Sequence, residues 1–155
     1  MKSKIKILIA DDVSEMRSVL KNELREYGYE NVVEASNGEE ALKKFKLYRI
    51  HMALLDINMP LKNGIDLLKD MRAIDPNVFI VIVSGESTAD IIKSTLAMNI
   101  NGFIVKPYSI AKISGIIKKF TEHIDLLPHG VSLEDTGQFE RIPPLNKDGE
   151  PSQSS

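Results

Sequence analysis

Four short apolar runs in this sequence end on residues able to do chemistry. KIKILIA stops at Asp11-Asp12, HMALL at Asp56, VFIVIV at Ser84 and NGFIV at Lys106. Open α/β sheets hold their ligands outside the carboxyl ends of buried strands, so these positions are the first candidates for a site. Brought together, Asp11, Asp12 and Asp56 repel one another: at an effective dielectric of ~20 and ~5 Å, each ionised pair costs roughly 3 kcal/mol. A cation relieves that repulsion. Carboxylate oxygens combined with waters are how magnesium is usually held, and Asn58, two residues beyond Asp56, can add a backbone carbonyl. Lys106 suits a point-charge contact to a phosphoryl oxygen. Ser84 offers a hydroxyl whose hydrogen bond forms only when a phosphoryl group is present. Metal, amine and hydroxyl together meet the charge that spreads over the equatorial oxygens in phosphoryl transfer. Asp56 is the natural nucleophile, giving an aspartyl phosphate that water later hydrolyses.

The elements that must position these residues follow from hydrophobic periodicity. Short continuous apolar runs predict strands near 4–10, 31–35, 51–55, 78–83 and 101–105; helical spacing predicts helices near 14–27, 38–48, 64–74, 87–98 and 109–124. Ser14, Ser36 with Glu39, Ser87 with Asp90, and Ser109 are the expected N-terminal caps, Gly28 ends the first helix, and Pro76 follows the third. Strands apolar on both faces, alternating with amphipathic helices, imply a doubly wound five-stranded parallel α/β sheet. Right-handed crossovers place all five strand carboxyl ends on one rim.

Composition narrows the function classes. The chain has 155 residues, 43% of them apolar, and no cysteine, which removes disulfides and thiolate chemistry. No apolar run approaches the ~20 residues of a membrane span, so no membrane insertion and a cytoplasmic location are expected. Residues 1–124 carry 18 Lys+Arg against 16 Asp+Glu, residues 125–155 only 2 against 6. Neither part has the basic excess that nucleic-acid binding needs. The expected division is a folded domain over 1–124 and an acidic Pro/Gly/Ser-containing tail over 125–155, either mostly flexible or docking through Val131, Leu133, Phe139, Ile142 and Leu145. His51, His123 and His129 have no ligand spacing and read as structural or surface residues.

With these motifs in order, residues 4–124 resemble the receiver domain of two-component response regulators, of the CheY-like stand-alone type. The resemblance rests on Asp11-Asp12, Asp56 followed by Asn58-Met59-Pro60, Gly64, Ser84 and Lys106-Pro107. It implies a flavodoxin-like (βα)5 fold with strand order 2-1-3-4-5, for which flavodoxin and CheY are standard examples. It also implies Asp56 as phospho-acceptor with Mg2+, Ser84 and Phe103 as the switch pair, and Asn58 and Glu86 flanking the path of the attacking water. Gly85 leaves the phosphoryl site open, and the Lys106–Pro107 bond is expected to be cis. Implied partners are a sensor histidine kinase or histidine phosphotransfer protein, and a downstream protein reading the face of the fourth helix, fifth strand and fifth helix. A monomer or weak dimer is expected.

The chain is thus expected to be a signalling switch with intrinsic autodephosphorylation rather than an enzyme. Two other classes remain open from sequence. One is a phosphorylation-independent interaction module. The other is a haloacid dehalogenase-type phosphatase, which also uses aspartyl phosphate, magnesium, a hydroxyl and a lysine. Those enzymes resemble one another in an Asp-x-Asp motif after the first strand, whereas Asp11-Asp12 lacks the spacer and Asp56-Ile57-Asn58 lacks the second Asp.

Overall fold

The computed structural model describes residues 2–126; the expectations for the tail beyond Leu126, and for His129, lie outside the described residues. After a 3-10 turn at Lys2–Lys4 the order is β1 (Lys6–Ala10), α1 (Ser14–Glu26), β2 (Asn31–Ala35), α2 (Gly38–Leu47), β3 (Met52–Leu55), α3 (Gly64–Ile74), β4 (Phe79–Ser84), α4 (Ala89–Leu96), β5 (Gly102–Val105) and α5 (Ile110–Asp125). The strands form one parallel sheet ordered β2-β1-β3-β4-β5. β3 and β4 are buried at every position because helices cover both faces, which is why their sequences read as unbroken apolar runs. One core layer joins the sheet to α1 and α5 around Leu20, Leu24, Phe79, Ile113, Ile117 and Phe120. The other joins it to α2 and α3 around Phe45, Leu67, Leu68 and Met71, with Ile91 of α4 against it. Among the described residues no helix is long and apolar enough to cross a membrane.

The register fixes the rim. Ala10 lies opposite Leu55, and Leu55 opposite Ile82, so Asp11 and Asp56 leave the sheet side by side; the Asp56 N–H donates to the Ala10 carbonyl at 2.9 Å. Ser84 lies opposite Val105, and the Lys106 N–H donates to the Ser84 carbonyl at 2.9 Å.

Gly28 ends the first helix in the left-handed region, at φ +89°, as its position implies. The serine caps differ from expectation. Ser14 is already helical and Val13 occupies the cap position without a side-chain bond. The preceding turn is organised instead by Asp11, whose Oδ1 accepts the Val13 N–H at 2.9 Å. Asn37, not Ser36, caps α2 by accepting the Glu40 N–H at 2.8 Å. Thr88, not Ser87, caps α4, and Ser109 stands at the start of α5 without a capping hydrogen bond. α3 is capped by Asn63, which accepts the Asp66 N–H at 2.9 Å.

Candidate phosphoryl-transfer site

The strand ends bring Asp11, Asp12 and Asp56 to one place, with one carboxylate oxygen of each within 4.8 Å of the others. Asp11 and Asp56 are buried while Asp12 is exposed. Lys106 reaches across from the end of β5. Its Nζ donates to Asp11 Oδ2 at 2.7 Å and to Asp56 Oδ2 at 3.4 Å. Burial pushes the Asp56 carboxyl above its ordinary range; the attraction of Lys106 opposes this and the neighbouring Asp11 adds to it. Burial pulls the Lys106 ammonium down, but hydrogen bonding and attraction from Asp11, then from Asp56, hold it above its ordinary value.

Three carboxylates face one ammonium, so ionisation leaves the cluster with excess negative charge. Exposed Asp12 keeps one side open to water. All-oxygen donors with solvent access fit a hard divalent cation such as magnesium, which retains several waters when bound. The candidate ligands are Asp11, Asp12 and Asp56.

The remaining expected residues surround this cluster. Ser84 is fully buried and its Oγ accepts the Glu86 N–H at 3.1 Å, which leaves the hydroxyl proton to donate elsewhere. Asn58 and Glu86, both exposed, meet across the rim: Asn58 Nδ2 donates to Glu86 Oε1 at 2.9 Å. The Asn58 N–H points to Asp56 Oδ1 at 3.4 Å. Gly85 is exposed, with open space where a Cβ would stand. Phe103 is half-buried against the core layer of α2 and α3. The Lys106–Pro107 peptide is cis.

Two supports were not read from the sequence. Arg17, one turn into α1, donates to the Asp11 carbonyl at 2.7 Å and to Glu34 Oε1 at 3.1 Å, tying the acidic turn to β2. Gly38 and Gly64 hold the loop after Asp56 by close approach. A Cβ on Gly38 would stand 1.9 Å from the Lys62 carbonyl oxygen, and one on Gly64 would stand 2.2 Å from that of Asp56. Gly64 was visible as part of a motif, whereas the contact of Gly38 joins segments far apart in the chain.

Residues 7–118 match the sequence profile of the response regulator receiver domain. The chain belongs to the receiver family. This receiver is 34% identical over 117 residues to a chemotaxis protein CheY of Thermotoga maritima, a match covering 76% of this chain and 98% of that protein. It is 36% identical over 122 residues to CheY-3 of Vibrio cholerae, covering 77% and 94%. Among solved structures, a CheY-like receiver domain protein from Methanospirillum hungatei superimposes with a TM-score of 0.72 at 27% identity, covering 78% of this chain and 97% of the other. The CheY of a CheX–CheY–BeF3–Mg complex from Borrelia burgdorferi does so with a TM-score of 0.69 at 28% identity, covering 79% and 90%. The receiver fold, its strand order and its place in two-component signalling thus follow from the chain's own elements and from its relatives together.

Proposed function

We propose that this chain is a phospho-accepting response regulator that works in the cytoplasm as a signalling switch. A histidine kinase or histidine phosphotransfer protein donates the phosphoryl group: its N–P bond breaks as an Asp56 carboxylate oxygen forms an O–P bond. Water later attacks phosphorus, the O–P bond breaks, and inorganic phosphate leaves with the carboxylate restored. The reading is carried by one observation, the Lys106 amine between Asp11 and Asp56 at 2.7 and 3.4 Å. Asp11, Asp12 and Asp56, with the Asn58 main-chain carbonyl, would hold Mg2+, which when bound offsets negative charge on the phosphoryl oxygens. The Borrelia likeness supports this, since that CheX–CheY complex contains BeF3 and magnesium.

On this reading Lys106 exchanges carboxylate contacts for a phosphoryl oxygen, and Ser84 turns its free proton to another. Asn58 and Glu86 flank the water's approach, and Gly85 leaves room for the donor. Movement of Ser84 lets Phe103 turn inward, and a downstream protein reads the altered face of α4, β5 and α5. Phosphorylation shifts this equilibrium only by its differential stabilisation of the two conformers. The test is incubation with magnesium and a small phosphodonor, followed by mass measurement. One phosphoryl group on Asp56 is expected; an Asp56→Asn variant that labels equally refutes the assignment.

A further inference from the structure

The phosphoryl site occupies the carboxyl rim, and another part of the surface is left uncovered by the described residues. Among the described residues β5 ends the sheet and pairs with β4 alone. Whereas β3 and β4 are buried throughout, β5 runs from half-buried Gly102 and Phe103 to exposed Val105. α4 packs on one face of the sheet and α5 on the other. On these consecutive elements Leu96, Val105 and Ile110 are 58%, 38% and 52% exposed. Single exposed apolar residues are ordinary. An open sheet edge between two of them is a ready template for another segment.

The chain carries a segment suited to that edge. Twenty-nine residues, 127–155, follow Leu126, and they include Val131, Leu133, Phe139, Ile142 and Leu145. The Thermotoga and Vibrio relatives are matched over 98% and 94% of their own length, so this segment is additional to what those proteins share with it. Charge is complementary. Residues 89–125, which span α4, β5 and α5, hold five lysines, one of them Lys106 of the phosphoryl site, against Asp90, Glu122 and Asp125, while 127–155 hold five acids against Arg141 and Lys147. The reach suffices: α5 is 16 residues, about 24 Å at the helical rise, and the run from Leu126 to Phe139 extends to about 43 Å.

We propose that residues 127–145 fold back on their own domain and cover the α4–β5–α5 edge, with Phe139 and Ile142 against Leu96, Val105 and Ile110 and the neighbouring acids facing Lys93 and Lys112. A partner for this face then competes with a tethered ligand at high effective concentration. Its apparent affinity falls by the fraction of time the face is free. Only that consequence rests on the proposed function; the docking itself does not.

The full chain has no cysteine, so a Gln138→Cys variant takes one nitroxide label. Amide spectra of this protein, unphosphorylated and without magnesium, are compared with those of its reduced form. Broadening around Leu96, Val105 and Ile110 should exceed that at Val32 and Val33 on the far edge strand at least threefold and survive tenfold dilution. Adding Phe139→Asp and Ile142→Asp should abolish the difference. Equal broadening at both edges, broadening centred elsewhere, or loss on dilution, which indicates a second copy, overturns the proposal. Labelling of Asp56 can succeed or fail independently of each of these outcomes.

Discussion

Asp56 sits in an environment that disfavours its own charge. Its folded-state carboxyl is raised, chiefly by burial. Between the ordinary carboxylate value and that raised value, the folded state therefore binds more protons than the unfolded one. The contribution of this group to stability falls as pH climbs through the window and stays lost at neutral pH. Asp56→Asn should accordingly stabilise the magnesium-free protein at pH 7, on the order of 1 kcal/mol, read from urea unfolding; a lower midpoint contradicts the electrostatic account. Lys106→Met should act in the opposite sense. It strands Asp11 and Asp56 as buried like charges at a cost on the order of 3 kcal/mol, and the double variant should recover part of the loss. The Asn58–Glu86 contact makes a kinetic prediction. If the proposed water path runs past them, replacing both with leucine sets apolar bulk in it, and the phosphoryl mark should then persist about tenfold longer, roughly 1.4 kcal/mol in barrier, in a hydrolysis time course. An unchanged lifetime means these side chains do not govern the water.

Elements were legible where periodicity spoke and less so at their ends. All five strands and five helices stand where apolar runs and helical spacing put them. Asp11, Asp12, Asp56, Ser84 and Lys106 were readable because a strand end is a position along the chain. Cap choice was not legible, because Ser36 and Asn37, or Ser87 and Thr88, are equally suited residue types side by side. The α2 contact was hidden for another reason: Gly38 meets Lys62 only after β3 has paired with β1. That contact is testable by substitution. Gly38→Ala drives a methyl into a backbone carbonyl, so α2 and the Asp56 loop must part, at about 1–3 kcal/mol, and magnesium affinity by fluorescence or calorimetric titration should drop with it. Gly115→Ala in α5 is the control. Its Cβ meets nothing within 4 Å, and it should stabilise by roughly 0.5–1 kcal/mol through helix propensity alone. Equal effects of the two substitutions on magnesium affinity contradict a positioning role for Gly38.

The sheet divides its labour between its two ends. The carboxyl rim gathers Asp11, Asp12, Asp56 and Lys106, while the amino end keeps a histidine neutral. His51 leads into β3 there, and its Nδ1 accepts the Lys6 N–H at 3.0 Å, pinning the entrance of β3 to β1. An acceptor nitrogen cannot carry a proton, and the ring is largely buried; burial, then the repulsion of Arg49, lowers its pKa from 6.5 to about 4. The sequence offered three scattered histidines without ligand spacing, and the structural reading suits this one. Its consequence for the fold was invisible until β1 and β3 were adjacent. Because the folded pKa is depressed, the unfolded chain binds more protons between about pH 4 and 6.5. Stability from this group is present in full above pH 6.5 and is lost as pH falls through 4. At about 1.4 kcal/mol per pKa unit the loss approaches roughly 3 kcal/mol. Urea unfolding of the Asp56→Asn protein, which lacks the opposing titration at the rim, should therefore weaken by this order between pH 7 and 4.5. Adding His51→Gln should flatten that slope while lowering stability at pH 7. A slope indifferent to His51 would place the acid sensitivity elsewhere among the carboxylates.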